Sequence, residues 1–385
     1  MVCPTLPLPP TSGGRKRSVR LLEAMERSGV RPHLLVLEAQ EEGLREAARR
    51  GWEVDVVARP AAGGGARLRQ LLRMEPEPHN GPLRARLAEL ARDAAFVQLE
   101  EVEQAQLIDA LPRAVPVVVS LYNVDSELTR AMAREHPRCS APAARLRFRA
   151  FRLAAVERRA TRRADATLCV SDEDRLAFAR RGARSTIVVP NGVDAELLDI
   201  PADGSDAGRV LFFGAHWWEP NRRGLERFVR ESWPLVAAAR PDARLRVVGP
   251  GPLDEARRAA AAADRVEIVG VVEDLAVELA AATVVVVPLW VGGGTRIKVV
   301  EAMAAARPVV GTSVGVERVG FIDGRHGLVR DAPDGLAAAV IDLLGDPVGA
   351  AAMGRAARDH VEPLRWESAT VPAEVLYRRL AAEAT

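Results

Sequence analysis

A chain of 385 residues is too long for one ordinary hydrophobic core, so two domains are expected. Its 48% hydrophobic content excludes a disordered chain. A formal net charge of +2 supplies no global field, so no nucleic-acid partner is expected.

The chain opens on Val2 and Cys3 before Pro4, too little for a central first strand; either the start lies upstream or that strand is clipped. Gly13 and Gly14 then lead into a helix with Val19, Leu22 and Met25 on one face, closed by Gly29. Short β-branched runs alternate with helical stretches from there on. Strands are predicted over His33–Leu37, Val54–Val57, Phe96–Leu99, Val115–Leu121, Ala166–Val170 and Thr186–Val189. The rhythm breaks once, at "NGVD" and the polar "DIPADGSDAG", and resumes with strands over Arg209–Phe213, Leu245–Val248, Val266–Val269, Thr283–Val287, Pro308–Gly311 and Gly327–Val329. Most of these runs are nearly continuously apolar, as strands covered on both faces must be. The expected fold is therefore α/β: two doubly wound, Rossmann-like domains. The first covers residues 1–192, a linker 193–208, the second domain 209–365, and the segment 366–385 a last helix packing back on the first domain. Such an arrangement would put the carboxyl ends of both sheets, where open α/β sheets bind ligands, across a shared cleft.

The three cysteines (Cys3, Cys139, Cys169) are odd in number and far apart, as free thiols in a reducing compartment would be. No apolar run approaches the ~18 residues needed to span a bilayer. The N-terminus lacks a charged region followed by an apolar one. A cytoplasmic location is expected.

The stretch "VVVVPLWVGGGTRIKVVEAMAAARPVV", residues 284 to 310, is the most unusual in the chain. Gly292, Gly293 and Gly294 permit close backbone approach. Thr295 is placed to cap the helix that follows, with Arg296 in its first turn and Lys298 close behind. Two cations beside a helix N-terminus suit an anion, and a diphosphate is the natural occupant. Glu301, amid Val299, Val300, Ala302 and Met303, is a poor place for an idle carboxylate and a good one for accepting ribose hydroxyls. Phosphate on the cations and a sugar on the acid describe a nucleotide. The plainer reading is a flexible loop before an ordinary amphipathic helix.

These residues resemble the nucleotide-sugar site of family-four glycosyltransferases of the GT-B fold, in particular the bacterial subgroup that writes "GGGTR-K-EAMA-GRPVV". Supporting motifs follow in order through most of the chain: "PPTSGGRKR", "ATLCVSDEDRLAF", "VVPNGVD", "FFGAHWWEPN", "LRVVGPGP" and "VEIVGVVEDL". The resemblance implies transfer of a sugar from a UDP, GDP or ADP sugar to a hydroxyl acceptor, with retained anomeric configuration, no metal and no cofactor. It implies that Arg296 and Lys298 hold the leaving diphosphate, that Glu301 binds the ribose, and that the backbone at Gly292–Thr295 meets sugar and phosphates. It further implies that Gly249 and Gly251 shape a neighbouring loop, that Val271 and Val272 dock the base edge, and that Gly13 and Gly14 close over the donor. In the implied mechanism the first domain takes the acceptor, the second takes the nucleotide, and hinge closure excludes water.

Three positions depart from the family pattern. Many relatives carry two glutamates eight positions apart, and here the earlier position is Gly293. Ala215 stands where many have an arginine, with Asn221 or Arg222 near the position of a lysine. Tyr122–Asn123 stands where His-Asn is common.

Other candidates are weaker. Asp172, Glu173 and Asp174 match an acidic metal-binding motif, but after Ser171 they read as the capped first turn of a helix. The six histidines show no metal spacing, so no metal is expected. Glu100 and Glu101 follow one strand, and Tyr122, Asn123 and Asp125 the next, as acceptor contacts would. Trp217 and Trp218 offer an aromatic pair for a sugar or base. From Arg138 to Arg163 nine arginines face one acid, Glu157, which suits weak peripheral contact with the inner face of an anionic membrane or simply a solvated helix. Two rival functions share the architecture: a sugar-nucleotide epimerase, and a nucleotide-sugar-binding protein without transfer activity.

Overall fold

The computed structural model describes residues 1–58, 81–252, 254–261 and 263–384. They form two compact units, Met1–Pro190 with Ala369–Thr385, and Asn191–Ser368.

The first unit is a seven-stranded parallel sheet. Its strands are β1 (Val2–Cys3), β2 (His33–Val36), β3 (Glu53–Val56), β4 (Val97–Glu100), β5 (Val117–Ser120), β6 (Ala166–Cys169) and β7 (Thr186–Val188), in the order β3-β2-β1-β4-β5-β6-β7. Strands β4, β5 and β6 are buried along their whole length, which their unbroken apolar runs require. The short N-terminal run forms a clipped strand of two residues, and, against expectation, a central one. Val2 pairs with Leu35 of β2 on one side and Leu99 of β4 on the other, so two buried residues suffice between two longer neighbours. The helix Gly13–Arg27 begins at the two glycines, is capped by the Ser12 side chain, and ends at Ser28 with Gly29 at φ 77°.

The C-terminal helix Val371–Glu383 belongs to this unit. Ala373, Leu376, Tyr377 and Leu380 join Leu21, Leu22 and Met25 in one core cluster. Arg27 adds hydrogen bonds to Glu374 and Thr370, both at 2.8 Å. Trp366, however, sits in the second unit, packed so closely on Gly192 that a Cβ there would lie 2.7 Å from the indole.

The second unit is a six-stranded parallel sheet of β8 (Arg209–Phe213), β9 (Arg244–Val248), β10 (Val266–Gly270), β11 (Val284–Val287), β12 (Val309–Gly311) and β13 (Gly327–Val329), ordered β10-β9-β8-β11-β12-β13. The stretch 193–208, read from its polar letters as a linker, is part of this unit. Val193 hydrogen-bonds Leu364, and Val193, Leu197, Leu198 and Ile200 are buried in its core.

Each sheet runs outward from its first strand in one direction and jumps to the fourth in the other. The switch points lie at the carboxyl ends of β1 and β4 in the first unit, and of β8 and β11 in the second. Open α/β sheets bind ligands in the crevice that forms there.

Candidate functional site

In the second unit, β11 runs into Pro288 and then the glycine loop, and the helix Ile297–Ala304 starts immediately beyond. The stretch singled out in the sequence therefore lies at the switch point. Among the described residues the backbone N–H groups of Ile297 and Lys298 have no hydrogen-bond partner, so the helix offers donors and the positive end of its dipole.

The two cations behave differently. Arg296 is not in the first helical turn but is the residue before it, and only 4% of it is exposed. Its guanidinium turns back into its own loop. It donates to the carbonyls of Gly293 and Gly294, to Val314 O at 3.2 Å and to the Glu317 carboxylate at 3.2 Å. It also approaches the Trp218 ring, 5.8 Å from the centroid. Gly292 is glycine for this reason: a Cβ there would meet Arg296 Nη2 at 1.8 Å. In this conformation Arg296 shapes the loop and does not present its charge to a ligand. Thr295 likewise does not cap the helix; its hydroxyl accepts from the Asn191 amide at 2.6 Å.

Lys298 is held on another helix. Its ammonium donates to Asn221 Oδ1 at 2.6 Å and stands 4.8 Å from the centre of the Phe212 ring. Burial, and then the charge of Arg296, push its pKa down to about 7, with Glu301 pulling the other way. Asn221 sits in the helix Glu219–Arg227, in the part of the sequence where a family lysine was looked for, and its amide also donates to Ala215 O at 2.8 Å.

Glycines at the strand ends make room for this arrangement. Gly214 (φ 141°) directly follows β8, and a Cβ on it would lie 2.9 Å from Lys298 Nζ. Gly249 (φ 137°) passes so near Gly214 that a Cβ would sit 2.0 Å from its carbonyl oxygen. Gly251 (φ 120°) packs in the same way on the backbone of His216 and Trp217. Glu301 is buried one turn beyond Lys298, on the same helix face. Trp217 is exposed and Trp218 half-buried; Val271 is exposed, while Val272 packs on the core.

One residue was not singled out in the sequence. His216 is fully buried just past β8, and neither ring nitrogen meets hydrogen-bond geometry with a described residue. Burial and the Lys298 charge lower its pKa to about 4, against a pull from the Val248 carbonyl, so the ring is neutral.

The first unit's switch point has the opposite character. Glu100 ends β4, wholly buried, and its carboxylate accepts from Tyr122 OH and from the Gln98 amide. Burial raises its pKa, while Tyr122, Gln98 and Arg17 hold it down. The Tyr122 hydroxyl also lies 2.8 Å from Ser18 Oγ, and a Cβ on Gly14 would meet the ring at ordinary contact distance, 3.6 Å. The buried Arg17, another residue the sequence did not betray, lies 5.5 Å from the Tyr122 ring centre. Glu101 carries a φ of 65°, a conformation costly for a side chain of its size. Burial first, and then Glu103 and Glu100, raise its pKa to about 8. Asn123 is half-buried one residue further on from Tyr122. The acids Asp172–Asp174 form the first turn of the helix Asp172–Arg180, where Ser171 accepts from Asp174 N at 3.2 Å. Among the described residues no group of His, Cys, Asp and Glu could hold a metal ion, and no single helix is long and apolar enough to cross a membrane.

Comparison with known proteins agrees with this geometry. Residues 11–197 match the family model described as Glycosyltransferase Family 4, and residues 207–346 match that of Glycosyl transferases group 1. A GDP-mannose-dependent monoacylated alpha-(1-6)-phosphatidylinositol monomannoside mannosyltransferase of Corynebacterium glutamicum is 36% identical over 154 residues, 37% of this chain and 40% of that protein. A phosphatidyl-myo-inositol mannosyltransferase of Mycolicibacterium smegmatis is 32% identical over 217 residues, 54% of this chain and 55% of that one. The match thus spans about half the length of these relatives or less. Among solved structures, sucrose-phosphate synthase from Thermosynechococcus elongatus superposes with a TM-score of 0.69 at 21% identity, covering 96% of this chain and 94% of that one. Anabaena HepE in complex with UDP-glucose gives 0.64 at 16% identity, covering 97% and 95%. The chain belongs to the family-4 glycosyltransferases of GT-B type.

Proposed function

We propose that this protein moves a sugar from a nucleoside diphosphate donor to a hydroxyl acceptor, with retention of configuration and without a metal ion. The observation that carries the reading is Lys298, held on Asn221 beside an open helix N-terminus at the switch point of the second sheet, its ammonium destabilised until an anion arrives. In this reading Lys298 and the free N–H groups of the helix stabilise charge building on the departing diphosphate. Arg296 holds the glycine loop in shape for them. Glu301 accepts the ribose hydroxyls.

The first unit takes the acceptor. Its carboxyls are poor general bases: Glu101 is largely protonated at neutral pH, and Glu100 is already occupied by Tyr122 and Gln98. A departing phosphate oxygen is then the better proton acceptor. One relative's name specifies GDP-mannose and one structural neighbour holds UDP-glucose, so the reading rests on a diphosphate sugar and not on one base. The two mannosyltransferases named above act on inositol lipids, which makes an inositol-bearing lipid the first acceptor to try.

The test is incubation with UDP-glucose, GDP-mannose or ADP-glucose and phosphatidylinositol, with chelator present, followed by NMR of the product. The reading expects release of a nucleoside diphosphate and a glycoside with the donor's anomeric configuration. An epimerised nucleotide sugar, with no diphosphate released, would make the protein an epimerase, and donor binding without turnover a binding module; an inverted glycoside would remove the retaining assignment.

A further inference from the structure

At the other edge of the first sheet, where β5, β6 and β7 begin, lies a cavity of about 650 Å³ lined by Arg113, Arg158, Arg159, Arg162, Arg163 and Arg184 together with Ala155. Four of the arginines come from the last two turns of the helix Ala141–Arg163. Arg113 comes from the turn before β5 and Arg184 from the loop before β7, so three separate segments converge. Basic residues in a last helical turn are ordinary, because they complement the dipole. Arg113 and Arg184 are not on that helix, and the dipole does not explain them.

The balance of charge is lopsided. Among the described residues no acid lines the cavity. Arg159 pairs with Asp109 at 3.1 Å, Arg162 donates to Arg181 O at 3.2 Å, and Arg163 donates to Pro112 O at 2.9 Å. Among the described residues the guanidinium groups of Arg113, Arg158 and Arg184 have no partner, and Arg159 keeps two buried nitrogens, Nε and Nη2, without an acceptor. Guanidinium forks present paired donors that match phosphate oxygens, and like charges gathered in one concavity raise the local concentration of anions.

We propose that this arginine cavity is a second anion site, built for a phosphate-bearing ligand and separate from the switch-point residues of either sheet. The shared chemistry is a phosphate group taken by two or more guanidinium forks, whether on a free phosphorylated molecule or on a lipid headgroup. The site is independent of donor binding.

Two probes separate the sources: inorganic pyrophosphate by calorimetry, and flotation with phosphatidylglycerol against phosphatidylcholine vesicles. Both use the full chain carrying Lys298→Ala, so that the second unit's anion site does not contribute. Arg158 and Arg184 are exposed and unpartnered among the described residues, so Arg158→Glu/Arg184→Glu leaves the fold intact; Arg158→Gln/Arg184→Gln is the milder check. The double variants are expected to weaken pyrophosphate or phosphatidylglycerol binding by about tenfold or more. Pyrophosphate binding without vesicle binding assigns a free phosphate ligand, and the converse assigns a headgroup. Absence of both, or binding that survives both double variants, overturns the proposal.

Discussion

The two units share a strand order and a switch point, yet the crevices they build have opposite electrical characters. At β8 and β11 the chain places glycines with positive φ, an open helix N-terminus and one destabilised lysine. At β1 and β4 it places Glu100, Glu101 and Tyr122, with pKa values raised chiefly by burial. The first arrangement wants an anion. The second holds buried hydrogen-bonding groups, the Glu100 carboxyl and the Tyr122 hydroxyl, beside the Arg17 guanidinium. One scaffold serves both because the sheet fixes only where the crevice lies, and the residues at the strand ends decide its chemistry.

Substitutions at four positions sharpen or break that contrast. Gly249→Ala should act most strongly, costing about 3 to 5 kcal/mol in urea unfolding, because the new Cβ meets the Gly214 carbonyl at a φ reserved for glycine. Next, Arg296→Ala should cost roughly 2 to 4 kcal/mol by releasing the loop carbonyls and Glu317. Arg296→Lys should recover little of this, since one ammonium cannot span those acceptors. If either Arg296 variant weakened diphosphate binding with stability unchanged, its assignment as a loop-shaping residue would be wrong.

In the first unit, Tyr122→Phe should cost about 1 to 3 kcal/mol by leaving the buried Glu100 carboxylate short of a donor. Glu101→Gln is expected to leave stability at low pH nearly unchanged and is read as a change in the pH dependence of Tm. The folded pKa is raised to about 8 from the ordinary 4.5, so below 4.5 the group carries no penalty. Stability is then lost as pH rises through the window from 4.5 to 8. The variant should flatten that slope, and an unchanged slope would show that the carboxyl is not held protonated.

Much of this was legible in the sequence, for physical reasons. Buried parallel strands must be apolar on both faces, so runs such as Val284–Val287 declare themselves. Val2–Cys3 did not, because its strand is made by its neighbours on both sides. Residues 193–208 misled because polar letters outnumber the spaced Val193, Leu197, Leu198 and Ile200 that enter the core. The site stretch was found from its glycines and helix start. Which cation faces a ligand was not, since Arg296 and Lys298 read alike until Gly292 is seen to accommodate a guanidinium. His216 and Arg17 are single polar residues whose burial no local pattern announces, and the positive φ of Glu101 has no sequence mark at all.

The central claim is that Lys298 is the diphosphate's cation. The direct test is calorimetric titration of UDP, GDP and ADP into wild type and Lys298→Ala, with chelator, at pH 6.5 and 8.5. The account predicts that at least one diphosphate binds wild type and that the variant loses roughly 10- to 150-fold in affinity while staying folded. Because the free ammonium titrates near 7 and must be protonated to hold phosphate, wild-type affinity should fall from the lower pH to the higher, and the variant's should not. If no diphosphate binds, or if Lys298→Ala binds as tightly as wild type, the account is contradicted.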